Sequence, residues 1–252
     1  MQNLGFLVLI LEGVAAVSGL YYFKKKPTDK AVGFFSYFLL LTFFLEALAL
    51  TPTIIYWNEP LHFLKKTFLY GNFWLYNPYI IISFVVYILF FKWNIYNKKL
   101  RSIINVGLIL YVVICIVNLI FSDVFFQSHA TVTIIMGSFF LTGVIFYYYF
   151  EILLSPKILN IKKEISFYIS FPALLHFLTT TPIFIYFKYY TLKSPEFVEL
   201  SSSVIIGLNI FMYSAYSFAF LWLANKKKSS PKHNYEIEPL DTVNGGRLPT
   251  EY

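Results

Sequence analysis

One cysteine, Cys115, stands in 252 residues. An internal disulfide is therefore excluded, and so is a cysteine-based metal knuckle. Charge is scarce too. Charged residues make up 13% of the chain, against about 25% in a soluble domain. The only aspartates are Asp29, Asp123 and Asp241, all outside the apolar runs. That removes the Asp-rich magnesium sites expected of lipid-diphosphate transferases. His62, His129, His176 and His233 are scattered along the chain, so no metal cluster is expected. No H-E-x-x-H, G-x-S-x-G or G-x-x-x-x-G-K occurs. Enzyme chemistry is thus not expected: no catalytic residue and no cofactor is implied, and nothing suggests nucleic acid binding. No Asn-X-Ser/Thr sequon is present either.

What the chain does have is long apolar runs. Hydrophobic residues reach 58% and the mean hydropathy is +0.65, a composition of the membrane class. Seven runs are long enough to cross a bilayer, at about 4–23, 32–57, 75–93, 102–121, 131–153, 165–187 and 201–224. Helices are expected, because an open strand leaves backbone groups unpaired in hydrocarbon. The fold class predicted is all-α: a polytopic seven-helix bundle. The first run is read as a retained helix rather than a signal peptide, since its lysines, Lys24 to Lys26, follow the apolar stretch.

Basic residues are distributed unevenly between the runs. Sixteen of the twenty lysines and arginines fall in one set of loops and the tail, against Lys65, Lys66, Lys188 and Lys193 on the other side. The positive-inside rule then predicts an outside N-terminus and a cytoplasmic C-terminus, and accounts for the net charge of +7. Residues 1–224 form the expected transmembrane domain. Residues 225–252 are polar and rich in Pro and Gly, and read as a disordered cytoplasmic tail. Its KKKSSPKH start suits anionic headgroups. Lys-, Ile- and Phe-rich usage fits an AT-rich bacterial genome, which places the chain in a plasma (inner) membrane.

Residues 43–57, FFLEALALTPTIIYW, align with 173–187, ALLHFLTTTPIFIYF, at an offset of 130. Leu45, Leu48, Thr51, Pro52, Ile55 and Tyr56 find identical counterparts, and Glu46 stands against His176. Tyr87 and Tyr216, like Trp93 and Trp222, repeat at an offset of 129. One reading is two parallel repeats, 1–97 and 129–224, joined by the helix at 102–121. The other is seven Phe-, Tyr- and Ile-rich helices that merely look alike. The three-plus-one-plus-three layout resembles the SWEET and PQ-loop sugar and amino-acid carriers in architecture. The chain departs from their pattern: it has no Pro-Gln pair, and spans one and five contain no proline. Rhodopsins need a lysine in the last span, and 201–224 has none. No family is assigned.

Polar side chains in lipid turn toward a protein interior or a cavity. In span one Gly5, Glu12, Ala15, Ala16 and Gly19 share a face; in span six Pro172, His176, Thr179 and Thr180 do; in span seven Ser202, Asn209, Tyr213 and Tyr216 do. Span four offers Tyr111, Cys115 and Asn118, and span two Glu46 and Thr53. All are expected around one central pocket reached from outside. Glu12, Glu46, His176, Thr179, Thr180, Asn209 and Tyr213 are its candidate ligand- or proton-binding residues. Pro52 and Pro182 are the expected hinges, because proline leaves a carbonyl four residues back without its donor. The leading expectation is a carrier for an unknown small molecule, with proton coupling at Glu46 and His176. Two rivals use the same residues: a receptor-like sensor with a protein partner at the cytoplasmic face, and a structural subunit of a membrane complex.

Overall fold

Every apolar run folds helically, the second of them as two helices. The computed structural model describes residues 2–122, 124–190 and 195–226, and among these the regular structure is helical. The elements are α1 (Gln2–Lys25), α2 (Lys30–Leu48), α3 (Thr51–Trp57), α4 (Phe73–Asn94), α5 (Lys98–Phe121), α6 (Val124–Gln127), α7 (Thr131–Leu153), α8 (Ile165–Tyr190) and α9 (Pro195–Asn225), with three short 3₁₀ segments. Counting Lys30–Trp57 as one stretch, seven are long and apolar enough to cross a membrane. The last begins at Pro195, earlier than its apolar run implies, and extends to Asn225. The tail expected to be disordered lies, from Lys227 on, outside the described residues.

The surface explains why water is the wrong solvent for this bundle. Val17, Ile103, Ile109, Phe139 and Phe218, on four different helices, are 62–70% exposed. Such side chains cover the outer faces, and a belt of this kind is far larger than the apolar patches soluble proteins tolerate. It belongs against lipid. Polar capping is found at helix ends instead. Asp29 accepts from the Val32 amide at 3.2 Å to start α2, and Asn97 accepts from the amides of Lys99 and Leu100 at 3.0 and 3.3 Å to start α5.

Six helices close a ring in the order α1, α2, α4, α7, α8, α9, with α9 packed back on α1. α5 stands outside it, against α4 and α7. α1 and α9 run parallel, because their C-terminal ends meet. Lys25 Nζ donates to Asn225 Oδ1 at 2.7 Å, and Lys26 Nζ donates to the Leu223 carbonyl at 2.9 Å. Close approach of α1 relies on small residues. Ala15 and Ala16 are fully buried, and Gly19 faces Ser36 on α2 and Phe220 on α9.

One half of the ring is filled by rings of another kind. Phe35 lies 4.9 Å from Phe90, 5.2 Å from Tyr87, 5.7 Å from Tyr216 and 6.0 Å from Phe38, centroid to centroid. The Tyr87 and Tyr216 hydroxyls are hydrogen-bonded at 3.1 Å. This aromatic plug joins α2, α4 and α9, and Phe35, Phe90 and Tyr216 within it are fully buried.

The second span is broken, not merely kinked. α2 stops at Leu48 and α3 restarts at Thr51, with Pro52 in its first turn. Carbonyls freed in a membrane segment need other donors. Here the Thr51 hydroxyl donates to the Leu48 carbonyl at 2.5 Å, and Asn72 Nδ2 to the Ala49 carbonyl at 2.9 Å. Pro182 behaves differently and sits within an uninterrupted α8.

A Cβ at position 19 would lie 2.6 Å from Ser36 Oγ, 3.1 Å from Ser36 Cβ and 3.2 Å from Phe220. Gly19→Val should therefore push α1 off both neighbours and cost about 1–3 kcal/mol, read as a lower thermal unfolding midpoint in detergent. Gly143→Ala, with open space around it, should leave the midpoint unchanged or slightly higher.

Candidate functional site

Above the aromatic plug, in the half of the ring that holds the N-terminus of α1, the helices enclose a partly open cavity of about 370 Å³. α1 contributes Glu12 and α2 contributes Phe38 and Glu46. The α4 wall is Tyr76, Tyr79, Ser83, Phe84 and Tyr87. His176, Phe177 and Thr180 come from α8, and Asn209, Met212 and Tyr213 from α9. Of the seven residues expected at the pocket, the cavity gathers Glu12, Glu46, His176, Thr180, Asn209 and Tyr213.

The others fall elsewhere. Thr179 is half-buried and off the wall, and Thr53 is exposed at the far side of the α2–α3 break. Tyr111 and Cys115 are buried, but against α4 and α7 rather than the cavity. Tyr111 donates to the Thr133 carbonyl at 3.3 Å. Asn118, on the same helix, is off the wall as well. Span four misses the pocket because α5 lies outside the ring. Neither Pro52 nor Pro182 touches the cavity.

The polar groups on the wall have distinct partners. Tyr76 donates its hydroxyl to Glu46 Oε2 at 2.8 Å. Glu46 thus takes a tyrosine from α4, and no hydrogen bond or ion pair joins it to His176 among the described residues. Tyr213 and Glu46 both lie near enough to the second carboxylate, Glu12, to interact with it electrostatically. Glu12 is 2% exposed, and its Oε2 has no hydrogen-bond partner. His176 Nδ1 is likewise buried and unpartnered. Thr180 turns its hydroxyl back onto the His176 carbonyl at 2.8 Å, and Thr181 Oγ1 lies 2.7 Å from Ser138 Oγ, tying α8 to α7. No lysine or arginine lies on the wall among the described residues. No group of three or more metal-ligating side chains is assembled there either.

Tyr76, Tyr79 and His129 join the wall without being marked by the apolar-run stripes, and so does Tyr87, which the sequence marks only as the counterpart of Tyr216. Tyr76, Tyr79, Ser83 and Tyr87 recur at helical spacing along α4, a stripe as regular as those noted in spans one, six and seven. Their hydroxyls are committed: Tyr79 to Thr42 at 3.0 Å, Tyr87 to Tyr216. His129, between α6 and α7, reaches the wall because Asn77 clasps that segment. Asn77 Nδ2 lies 3.0–3.3 Å from the carbonyls of Val124, Phe125 and Ser128, and Oδ1 accepts from the Ala130 amide at 2.9 Å. His129 is wedged between Phe73 and Phe184, with ring centroids 5.0 and 5.3 Å away. That burial holds its imidazole below the ordinary value of 6.5.

No protein-family model matches the chain, and neither a curated protein nor a solved structure is significantly similar to it.

Asn77→Leu should strand the partly buried Val124 and Phe125 carbonyls and the buried Ala130 amide, at a cost of roughly 3 kcal/mol. Amide exchange in residues 124–131 should then rise more than in α9. His129 supplies a pH signature with a definite sign. The unfolded imidazole binds its proton more tightly than the folded one, so stability is fully present above pH 6.5 and declines as pH falls below it. His129→Phe should flatten that part of the unfolding profile, measured in detergent between neutral and mildly acidic pH.

Proposed function

We propose that this chain is a carrier for a small molecule, set in a bacterial inner membrane with its N-terminus outside and its basic end in the cytoplasm. One observation carries the reading: two carboxylates and a histidine from three helices share a cavity in one half of the ring, while packed aromatic rings fill the other half. A carrier caught facing one side has that asymmetry. No catalytic step is part of the reading.

The ring order supports a three-plus-one-plus-three plan. α1, α2 and α4 make one arc and α7, α8 and α9 the other, with α5 as the outlying connection. Turning the ring by half carries each helix of one arc onto its counterpart in the other. Tyr87 and Tyr216, equivalent at the offset of 129, touch each other, as counterparts do beside an axis relating two copies. The burial pattern follows the same register. Phe84, Tyr87, Phe90 and Phe91 are buried on α4, and so are Tyr213, Tyr216, Ala219 and Phe220 on α9. In transport the two arcs rock about the plug; the break before Pro52 and the turn of α8 that lacks the Pro182 amide donor take up the motion. Glu46 and Glu12 exchange protons with the outer solution as the cavity fills and empties.

A thermal-shift screen of the purified protein against small metabolites, at neutral and low pH, should yield ligands that raise the unfolding midpoint. Those ligands, loaded as isotopes, should accumulate in vesicles that contain the protein and bear a pH gradient. Glu46→Gln should abolish gradient-driven uptake while keeping the unfolding midpoint close to that of the parent. Binding without accumulation would replace the carrier by a sensor that signals through a partner. Instability relieved only by another membrane protein would replace it by a subunit of a complex.

A further inference from the structure

Resting on the reading of this cavity as a ligand site, we infer that its occupant is a small organic cation, an ammonium group seated between Glu12 and Glu46 among aromatic faces. Charge is the first argument. Two carboxylates face one confined space, and no lysine or arginine on the described wall answers them. Glu12 is almost wholly buried and one of its oxygens has no partner. An isolated carboxylate buried this way is costly until something positive or a proton meets it. An anionic ligand, or the carboxylate end of a zwitterion, would add repulsion to an unmet demand.

The rings are the second argument. Phe38, Tyr76, Tyr79, Phe84, Phe177 and Tyr213 surround the space. The hydroxyls of Tyr76 and Tyr79 already bind Glu46 and Thr42. What these two offer a ligand is therefore ring surface rather than a free hydroxyl, with Phe38 stacked on one face of Tyr79, and the quadrupole of such rings attracts a cation. A sugar would ask for neutral hydroxyl partners on every side, and the Tyr76, Tyr79, Tyr87 and Thr180 hydroxyls are already engaged within the protein. A metal ion would ask for converging ligands, and no such group is present among the described residues. Size agrees: about 370 Å³ accommodates a compact amine with a short organic body.

Cation and proton compete for the same carboxylates, so a proton held there leaves to water as the cation enters, and one returns as it exits. The groups that bear on this exchange are Glu12 on α1, Glu46 on α2, the α4 tyrosines, His129 before α7, His176 on α8 and Tyr213 on α9; α7 itself presents no titratable wall residue. Acid protonates the carboxylates and charges the imidazoles. Both changes disfavour a cation, so affinity falls as pH falls.

The test uses the full chain in lipid nanodiscs, titrated with choline, phenethylamine, potassium chloride, sodium acetate and the uncharged isostere of choline in which carbon replaces nitrogen. Choline or phenethylamine should raise the unfolding midpoint and bind about tenfold or more tighter than the isostere, with affinity lost toward acid pH. Glu12→Gln should weaken that binding by about tenfold or more. The comparison of choline with its isostere needs no variant, so it holds even if Glu12→Gln folds poorly. Equal binding of the isostere, preference for acetate, an equal response to potassium, or no response to either amine at about 10 mM would overturn the assignment. Amine binding without vesicle uptake would leave the ligand class standing and remove the carrier. Uptake of a neutral or anionic solute without amine binding would do the reverse.

Discussion

Hydrocarbon offers a carboxylate nothing to bond to, and that constraint organises the molecule. Glu12 and Glu46 each sit deep in an apolar helix, where turning outward would expose charge to lipid. Both turn inward, and the six-helix ring gives them a common space. The outer faces are then free to be apolar almost without interruption. The inner ends of the stripes are set by packing: Ala15, Ala16 and Gly19 bring α1 close enough to α2 and α9 for Glu12 to meet Tyr213.

Tyrosine does two jobs along the ring's inner wall. Toward the cavity, Tyr76 satisfies a carboxylate and Tyr79 bridges to α2. Toward the plug, Tyr87 and Tyr216 satisfy each other and pack against Phe35. In both places a hydroxyl finds one partner while the ring fills volume, which is how an amphipathic side chain is best used in a dry interior. Asn77 serves a different end. It fastens the short connection before α7, and through it His129, over the cavity.

The seven spans were legible because lipid demands an unbroken apolar run, and nothing in a short sequence mimics that. The convergence of Glu12, Glu46, His176, Asn209 and Tyr213 was legible for the same reason, since polar groups in lipid have one direction to turn. The α4 stripe was not read, although its spacing was plain. Tyrosine near a span end also marks the membrane interface, and the hydroxyls of Tyr76 and Tyr79 lie close enough to that end to be taken for it. The place of α5 outside the ring was missed, and Tyr111, Cys115 and Asn118 were counted toward the pocket in consequence. A signal existed: α5 is the most apolar of the seven spans, as a helix with lipid on most sides must be. The break at Ala49–Leu50 was foreseen only as a bend. Its completion depends on Asn72, more than twenty positions along the chain, whose amide is at hand only after folding.

The position of α5 has a topological consequence. A chain that crosses a sheet of lipid three times ends on the face opposite its start. A further triplet laid down at once would run in the reverse sense to the first. One extra crossing restores the starting face, and it can be made anywhere along the perimeter. On the three-plus-one-plus-three plan proposed above, α5 makes it on the outside, against α4 and α7, and parity is corrected without spending any of the inner wall. On that plan the helix that sets the direction of the second triplet is the one with the least of its surface buried.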